Sequence, residues 1–267
     1  MKDIIDLSSN IRINGIYSVF KQKRASKYYF KGEKHSMWEI VIVSEGKIGV
    51  TAGSDAFYLG KGQAIIHEPW EFHKLWSESD DVEIIVFTLL IENMPKNYSK
   101  IFEVKNLEIP DKIVKEIYAS FEMKNAYVSK IGDEKKKECF TAIKNLEIFI
   151  LSTVSKEYKN TPVEKSRSSK NYSVIINVLK NNLDKNLSLD DIAHLCNMSR
   201  ANVIKTFKKY AGTGVMNFYN EMKIDMACSM LNSHMSVKEI SDALGFLNQN
   251  YFSSVFKKIK GKAPSKY

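Results

Sequence analysis

Two outward helical faces near the end of this 267-residue chain carry residue types that bind a polyanion. The first presents Arg200, Ala201, Asn202, Lys205, Lys208 and Lys209; the second presents Gln249, Asn250, Ser253, Ser254, Lys257 and Lys258. Ammonium groups at helical spacing can meet phosphates, and side-chain amides match the donor and acceptor on an adenine edge. Mixed on one face, they suit a groove of double-stranded DNA. A solvated face would look similar by itself, but here two faces close on the same tripeptide, Phe207-Lys208-Lys209 and Phe256-Lys257-Lys258.

The elements that must position these faces are copies of one another. Ile192 and Ile240 lie 48 positions apart, whereas Phe207 and Phe256, like Gly212 and Gly261, lie 49 apart, so the second copy has one extra residue in its turn. Each copy reads as a short apolar helix, a tight turn and a second helix, the outline of a helix-turn-helix. In the first, Ser188 caps with Asp191 completing a short capping box, Ile192, Ala193 and Leu195 face inward, and Asn197 takes a left-handed turn. Ser199 then caps a helix whose Val203 and Phe207 point to the core. In the second, Ser236 caps, Gly245 turns, Phe246 seals the corner, and Tyr251, Phe252, Val255 and Phe256 face inward. A long helix over 215–233 joins the copies, and an amphipathic helix over 172–183, with Val174, Ile175, Val178 and Leu179 inside, precedes them.

Charge is segregated in the same way. From residue 165 onward, 16 Lys and Arg stand against 7 Asp and Glu, which is the whole net charge of +9; residues 1–164 hold 24 of each sign. That is the footprint expected if the duplicated segment alone meets a polyanion. The longest apolar run, about 84–91, is too short to cross a bilayer, so no membrane partner is expected. The first residues, Met1-Lys2-Asp3-Ile4-Ile5-Asp6, carry acids where a secretory signal has a basic start. Cys139, Cys196 and Cys228 are far apart and lack metal-ligand pairing. Together these features predict a cytoplasmic, reduced protein with no cofactor.

The first hundred residues read as strands over 39–43, 47–51, 56–59, 64–66 and 82–87, with turns at Gly46 and Gly53, hence a β-sandwich or small barrel. A barrel of that size holds one ligand. Tyr17, His35, Trp38, Glu39, Trp70, His73 and Trp76 are the candidates to line an effector pocket, the alternative being that the aromatic residues fill the core. From Pro110 the period becomes helical: Ile113, Val114, Ile117, Tyr118 and Phe121 form one stripe, and Cys139, Ile143, Leu146, Ile150 and Val154 another within 133–158. These stripes pack either on the barrel or on a second copy in a homodimer. A polar stretch with Pro162 reads as a linker. The expectation is an α+β chain with a barrel over 1–105, a helical pair over 106–159, a linker over 160–170 and a double helix-turn-helix over 171–267.

Residues 172–267 closely resemble the DNA-binding domain of the AraC/XylS family of transcription regulators. The matching residues are Ile192, Ala193, Met198, Ser199, Phe207, Lys208, Lys209, Gly212, Ala227, Met230, Leu231, Ile240, Ser241, Gly245, Phe246, Asn250, Tyr251, Phe252, Ser253, Phe256, Lys257, Lys258 and Gly261, then Ala263-Pro264-Ser265-Lys266-Tyr267. The resemblance implies a transcription regulator, activator or repressor, rather than an enzyme, with double-stranded DNA, an unknown small-molecule effector and RNA polymerase as partners, and two helices in successive major grooves about 34 Å apart. By family position the base readers are Ala201, Ile204 and Lys205, then Gln249, Asn250 and Ser254. Three departures stand out: Lys223 replaces Arg, Leu247 replaces a Ser or Thr cap so that the helix begins from Asn248, and Ser254 replaces Arg. The first half resembles the cupin fold through His35, Glu39 and Gly46, then Gly62, Pro69 and His73, but Glu33 stands where a cupin has its first histidine. A set of Glu33, His35, Glu39 and His73 could ligate a divalent metal; with that histidine missing, the expectation is no metal. The rival readings are a metal-binding cupin enzyme and an architectural DNA binder.

Overall fold

The computed structural model describes residues 11–25, 27–77, 81–95, 98–131, 133–154 and 162–267. In chain order the elements are β1 Arg12–Arg24, β2 Trp38–Glu45, β3 Lys47–Ala52, β4 Asp55–Gly60, β5 Gln63–His67, β6 His73–Trp76, β7 Val82–Glu92, β8 Ile101–Glu103, α1 Glu108–Ser120, β9 Phe121–Lys124, β10 Tyr127–Ile131 and α2 Lys136–Val154. They continue as α3 Arg167–Lys180, α4 Leu189–Leu195, α5 Arg200–Ala211, α6 Val215–Asn232, α7 Val237–Ala243 and α8 Gln249–Lys260. The chain divides into two compact units near residue 164. None of the helices is long and apolar enough to cross a membrane, among the described residues.

The N-terminal unit is built from two antiparallel sheets, ordered β8-β5-β2-β7-β1-β10-β9 and β4-β3-β6. Successive strand residues point to opposite faces, so the uninterrupted apolar run at 40–43 is what a strand buried on both faces requires. Val41 and Val43, with Ile65, Ile84 and Val86, meet Ile48, Val50, Phe57 and Leu59 of the smaller sheet. Ile40, Ile42, Ala64, Ile66, Ile85 and Phe87 take the opposite face and pack with Ile113, Ile117, Leu146 and Ile150 of α1 and α2. Each such side chain contributes about 1.5–3 kcal/mol relative to exposure. Ile113, Ile117, Leu146 and Ile150 of the helical stripes are therefore spent on the sheet, whereas Tyr118 is exposed.

The expected helical pair is interrupted. Phe121, read as the end of the first stripe, has extended backbone at φ −103° and ψ 151° and begins a hairpin. Asn125, at φ 59°, turns β9 into β10, and β10 pairs with β1. Tyr127 and Val128 suit a strand, and pairing to the sheet overrides the helical period. The predicted end of α2 at 158 lies outside the described residues, as do positions 160 and 161 of the predicted linker. Residues 167–170 of that stretch are helical: they form the first turn of α3, capped by Ser166 accepting from the Ser169 amide at 3.1 Å.

The C-terminal unit is all helix. α3 buries Tyr172, Ile175, Ile176 and Leu179, not Val174, which is exposed. Ser188 and Ser236 both make full capping boxes, with Asp191 and Glu239. Asn248 caps α8 through its side chain, which accepts from the Tyr251 amide at 2.8 Å. Two inward assignments are corrected. Leu195 is 49% exposed because Cys196, four residues on from Ile192, takes the buried position; Tyr251 is exposed because the stripe of α8 runs through Phe252 and Phe256. Lys223 on α6 is buried, and its ammonium donates to the carbonyls of Lys185 and Leu244 at 2.5 and 2.7 Å. Tyr219 donates to Lys185 O at 2.6 Å, so α6, the chain before α4 and the end of α7 meet at one point.

Candidate functional site

α5 is anchored by Val203, Thr206, Phe207 and Tyr210, which are buried. That stripe leaves Ala201, Ile204, Lys205 and Lys208 exposed on the other side, at spacings of three, four and seven. Arg200 is exposed, but its Nε lies 3.2 Å from Asp190. Asn202 is half-buried and its side-chain oxygen accepts from Thr206 at 3.1 Å, while Lys209 lies 5.3 Å from the Tyr210 ring. Ala201, Ile204, Lys205 and Lys208 thus form a face that is half apolar and half cationic.

α8 is anchored by Phe252 and Phe256 and exposes Gln249, Asn250, Ser254, Lys257 and Lys258, with Ser253 half-buried. The amides of Gln249 and Asn250 make no side-chain hydrogen bond among the described residues, so their donors and acceptors are available. Ser254 donates its hydroxyl to Asn250 O at 2.9 Å within the helix. Lys257 and Lys258 lie in the last turn, where cations complement the helix dipole.

The N-terminal unit contains a cavity of about 330 Å³ between its sheets. Ser18, Phe20, Gln22 and Arg24 of β1 line it, with Tyr28, Phe30, Glu33, His35 and Glu39, and Leu75, Ile84, Val86, Thr88 and Tyr127 complete it. The hairpin therefore contributes a wall to the cavity. Of the sequence-predicted pocket residues, Tyr17, His35 and Glu39 line the cavity, and His73 abuts it beside His35, with ring centroids 4.9 Å apart. Trp38, Trp70 and Trp76 do not. Trp38 packs on the outer face against Tyr98, Trp70 is 68% exposed, and Trp76 covers Gly49 on the outside of the smaller sheet.

At one end of the cavity Glu33, His35, Glu39 and His73 bring four ligating atoms within 4.8 Å of one another. Burial alone would raise the Glu39 carboxyl, but the imidazoles of His35, His73 and His67 outweigh it and hold Glu39 below the usual carboxylate range. Burial opposes protonation of His73, and the carboxylates of Glu33 and Glu39 outweigh it and raise His73. His67 was missed in the sequence, although it shares strand parity with inward-facing Ile65. It stacks on His73 at 4.6 Å, approaches Glu71 at 3.2 Å, and is lowered chiefly by burial.

Comparison with known proteins places the C-terminal helices. The family described as a helix-turn-helix domain matches residues 192–267. The chain is 31% identical over 90 residues to the MmsAB operon regulatory protein of Pseudomonas aeruginosa, covering 33% of this chain and 29% of that protein. It is 23% identical over 248 residues to the HTH-type transcriptional regulator YfiF of Bacillus subtilis, covering 86% and 76%. A solved Chromobacterium violaceum transcriptional regulator with an AraC-type DNA-binding domain is 28% identical, covering 37% of this chain and 89% of that one, with a TM-score of 0.35. The chain thus spans under a third of the length of the first of these relatives. Residues 192–267 are thus similar to the helix-turn-helix domain of transcription regulators.

Proposed function

We propose that the chain is a sequence-specific DNA-binding transcription regulator, not an enzyme, acting in the cytoplasm under the control of a small molecule taken up by the N-terminal cavity. The observation that carries this reading is the pair of faces on α5 and α8. Each combines exposed lysines with base-sized apolar or amide groups on a helix anchored from behind, within the segment that holds the whole net positive charge. Lys205 and Lys208 on α5, and Gln249, Asn250, Lys257 and Lys258 on α8, are the contacts this reading assigns to DNA.

The cavity has the size and mixed lining of a small-ligand site. A ligand there regulates only if its affinity differs between two arrangements of the protein. Exposed Phe140, Ile148 and Leu151 on α2 support a homodimer through that helix, and RNA polymerase is the partner an activator would engage. Selection from a random pool of DNA duplexes with the full-length chain tests the reading. The expected product is one recurring motif with two elements about one helical turn apart. A pool that binds without enrichment would overturn it in favour of an architectural binder.

A further inference from the structure

We propose that the N-terminal cavity takes a short zwitterion in which a hydrocarbon chain separates a carboxylate, held by Arg24, from an ammonium, held by Glu33 and Glu39. The inference rests on the reading of this cavity as a ligand site and names the chemical class that fits it. The lining holds unmatched groups of opposite charge, set apart along β1.

Arg24 is the cationic group. Its guanidinium lies 4.6 Å from the centre of the Tyr28 ring and 5.9 Å from that of Phe20, contacts that hold its face and leave its N–H donors unspent. Nε is buried and has no hydrogen-bond partner among the described residues. A buried donor left unmade is costly, and the guanidinium fork matches the two oxygens of a carboxylate.

Glu33 and Glu39 are the anionic groups. Among the described residues Glu39 accepts one hydrogen bond, from Thr88 at 3.2 Å, where an ionised carboxylate has about four lone-pair sites. Both glutamates stand 3.5 to 3.9 Å from the imidazoles of His35 and His73, too far for hydrogen bonds. Carboxylates only accept, so this side calls for a ligand end made of donors, which an ammonium is.

The strand register sets the spacing. Ser18, Thr88 and Glu39 stand in one row across β1, β7 and β2, and Phe20, Gln22 and Arg24 follow Ser18 onto the cavity. Arg24 folds back toward Phe20, which is two residues, or about 7 Å, along β1 from that row. Burial raises the Tyr28 phenol, Arg24 opposes it and Glu39 and Glu33 add to it, so this hydroxyl feels both groups. A carboxylate and an ammonium on the same carbon are too close together for such a gap; a few methylenes between them fill it. Leu75, Ile84 and Val86 of the lining suit those methylenes and disfavour a polyol, whose hydroxyls they would leave unpaired.

The test is calorimetry and ligand-detected magnetic resonance on the full-length chain without DNA, using γ-aminobutyrate, δ-aminovalerate and ε-aminohexanoate. At least one should bind saturably, and at least about tenfold tighter than the alkyl carboxylate or alkylamine of its own length, each of which lacks one charge. Norvaline, an isomer of δ-aminovalerate with both charges on the same carbon, should bind as weakly as those controls. Arg24→Gln should erase the preference over the alkylamine, and Glu33→Gln should reduce the preference over the alkyl carboxylate. Lack of saturable binding across the series overturns the inference, and so do equal binding of a control compound or preferences that survive both substitutions. Equal binding of a control leaves the cavity a ligand site for another class. Binding that leaves affinity for the selected duplex unchanged upholds the zwitterion site and overturns its regulatory role.

Discussion

Both helix-turn-helix units bend at a residue of positive φ, Asn197 at 52° and Gly245 at 59°, but the two turns lie in different surroundings. A Cβ on Gly245 would stand 2.2 Å from Asp184 O, with further backbone atoms under 3 Å. In the first copy a left-handed asparagine is accommodated. The faces differ as well: α5 offers Ala201, Ile204 and Lys205, whereas α8 offers two amides and has its Ser254 hydroxyl bound internally. The second copy is thus tightly fixed at its turn and richer in hydrogen-bond readout. The first is more permissive at its turn, and on the proposed reading it would rely on charge and thymine-methyl contact. The two copies share an outline and differ in the faces they expose.

The largest effect that would break this contrast is at the turns. Gly245→Ala should destabilise the C-terminal unit by about 3 kcal/mol, from the left-handed conformation and the backbone overlap together. Asn197→Ala should cost about 1 kcal/mol, from conformation alone. Urea unfolding of both variants measures the difference; equal losses would mean that the two turns are packed alike. Next, Asn250→Ala should lower affinity for the selected duplex by about 1–3 kcal/mol and relax preference at one base pair. Lys205→Ala should weaken selected and random duplexes more evenly, which competition binding separates. If the two variants have the same specificity profile, the division of roles between α5 and α8 is wrong.

Smaller effects sharpen it. Lys258→Ala should reduce the slope of log affinity against log salt by about 1, with little change in sequence preference. Lys223 is read through pH. Burial pushes its ammonium down to about 8 from 10.5, with Asp184 opposing. Between those values the unfolded chain holds a proton that the folded chain has released, so stability attributable to Lys223 rises with pH across that window. Lys223→Arg stays charged throughout. The native chain should therefore gain on Lys223→Arg as pH rises above about 8 in unfolding titrations, and parallel curves would contradict the buried ammonium.

The C-terminal unit was legible in the sequence because its devices are local: a cap and its third residue, a left-handed turn, a stripe at helical spacing. Ser188 with Asp191, Asn197, Gly245 and Asn248 could each be placed from a few neighbours. The cavity was less legible because it depends on which way each strand faces. The rings of Trp38 and Trp76 suggest a pocket lining, yet Trp38 shares parity with Ile40 and Trp76 with Lys74, so both point away from the cavity. The same rule places Glu39 with Val41 and His73 with Leu75, on the inside. Parity along β2 and β6 held that information; residue type alone did not. The β9–β10 hairpin escaped for another reason, since Phe121 fits the helical stripe of α1 and only pairing to β1 makes it a strand.

Lys223 joins two backbone carbonyls, one from the chain entering the first copy and one from the end of α7 in the second. If α5 and α8 read DNA as proposed, this clasp would hold both helices in a single phase. Each base pair inserted between the two recognised elements moves one of them by about 3.4 Å and about a tenth of a turn. A protein with a loose connector could follow such a shift, whereas the Lys223 clasp opposes it. Its operators should therefore tolerate substitutions within an element far better than a single-base change in the distance between elements.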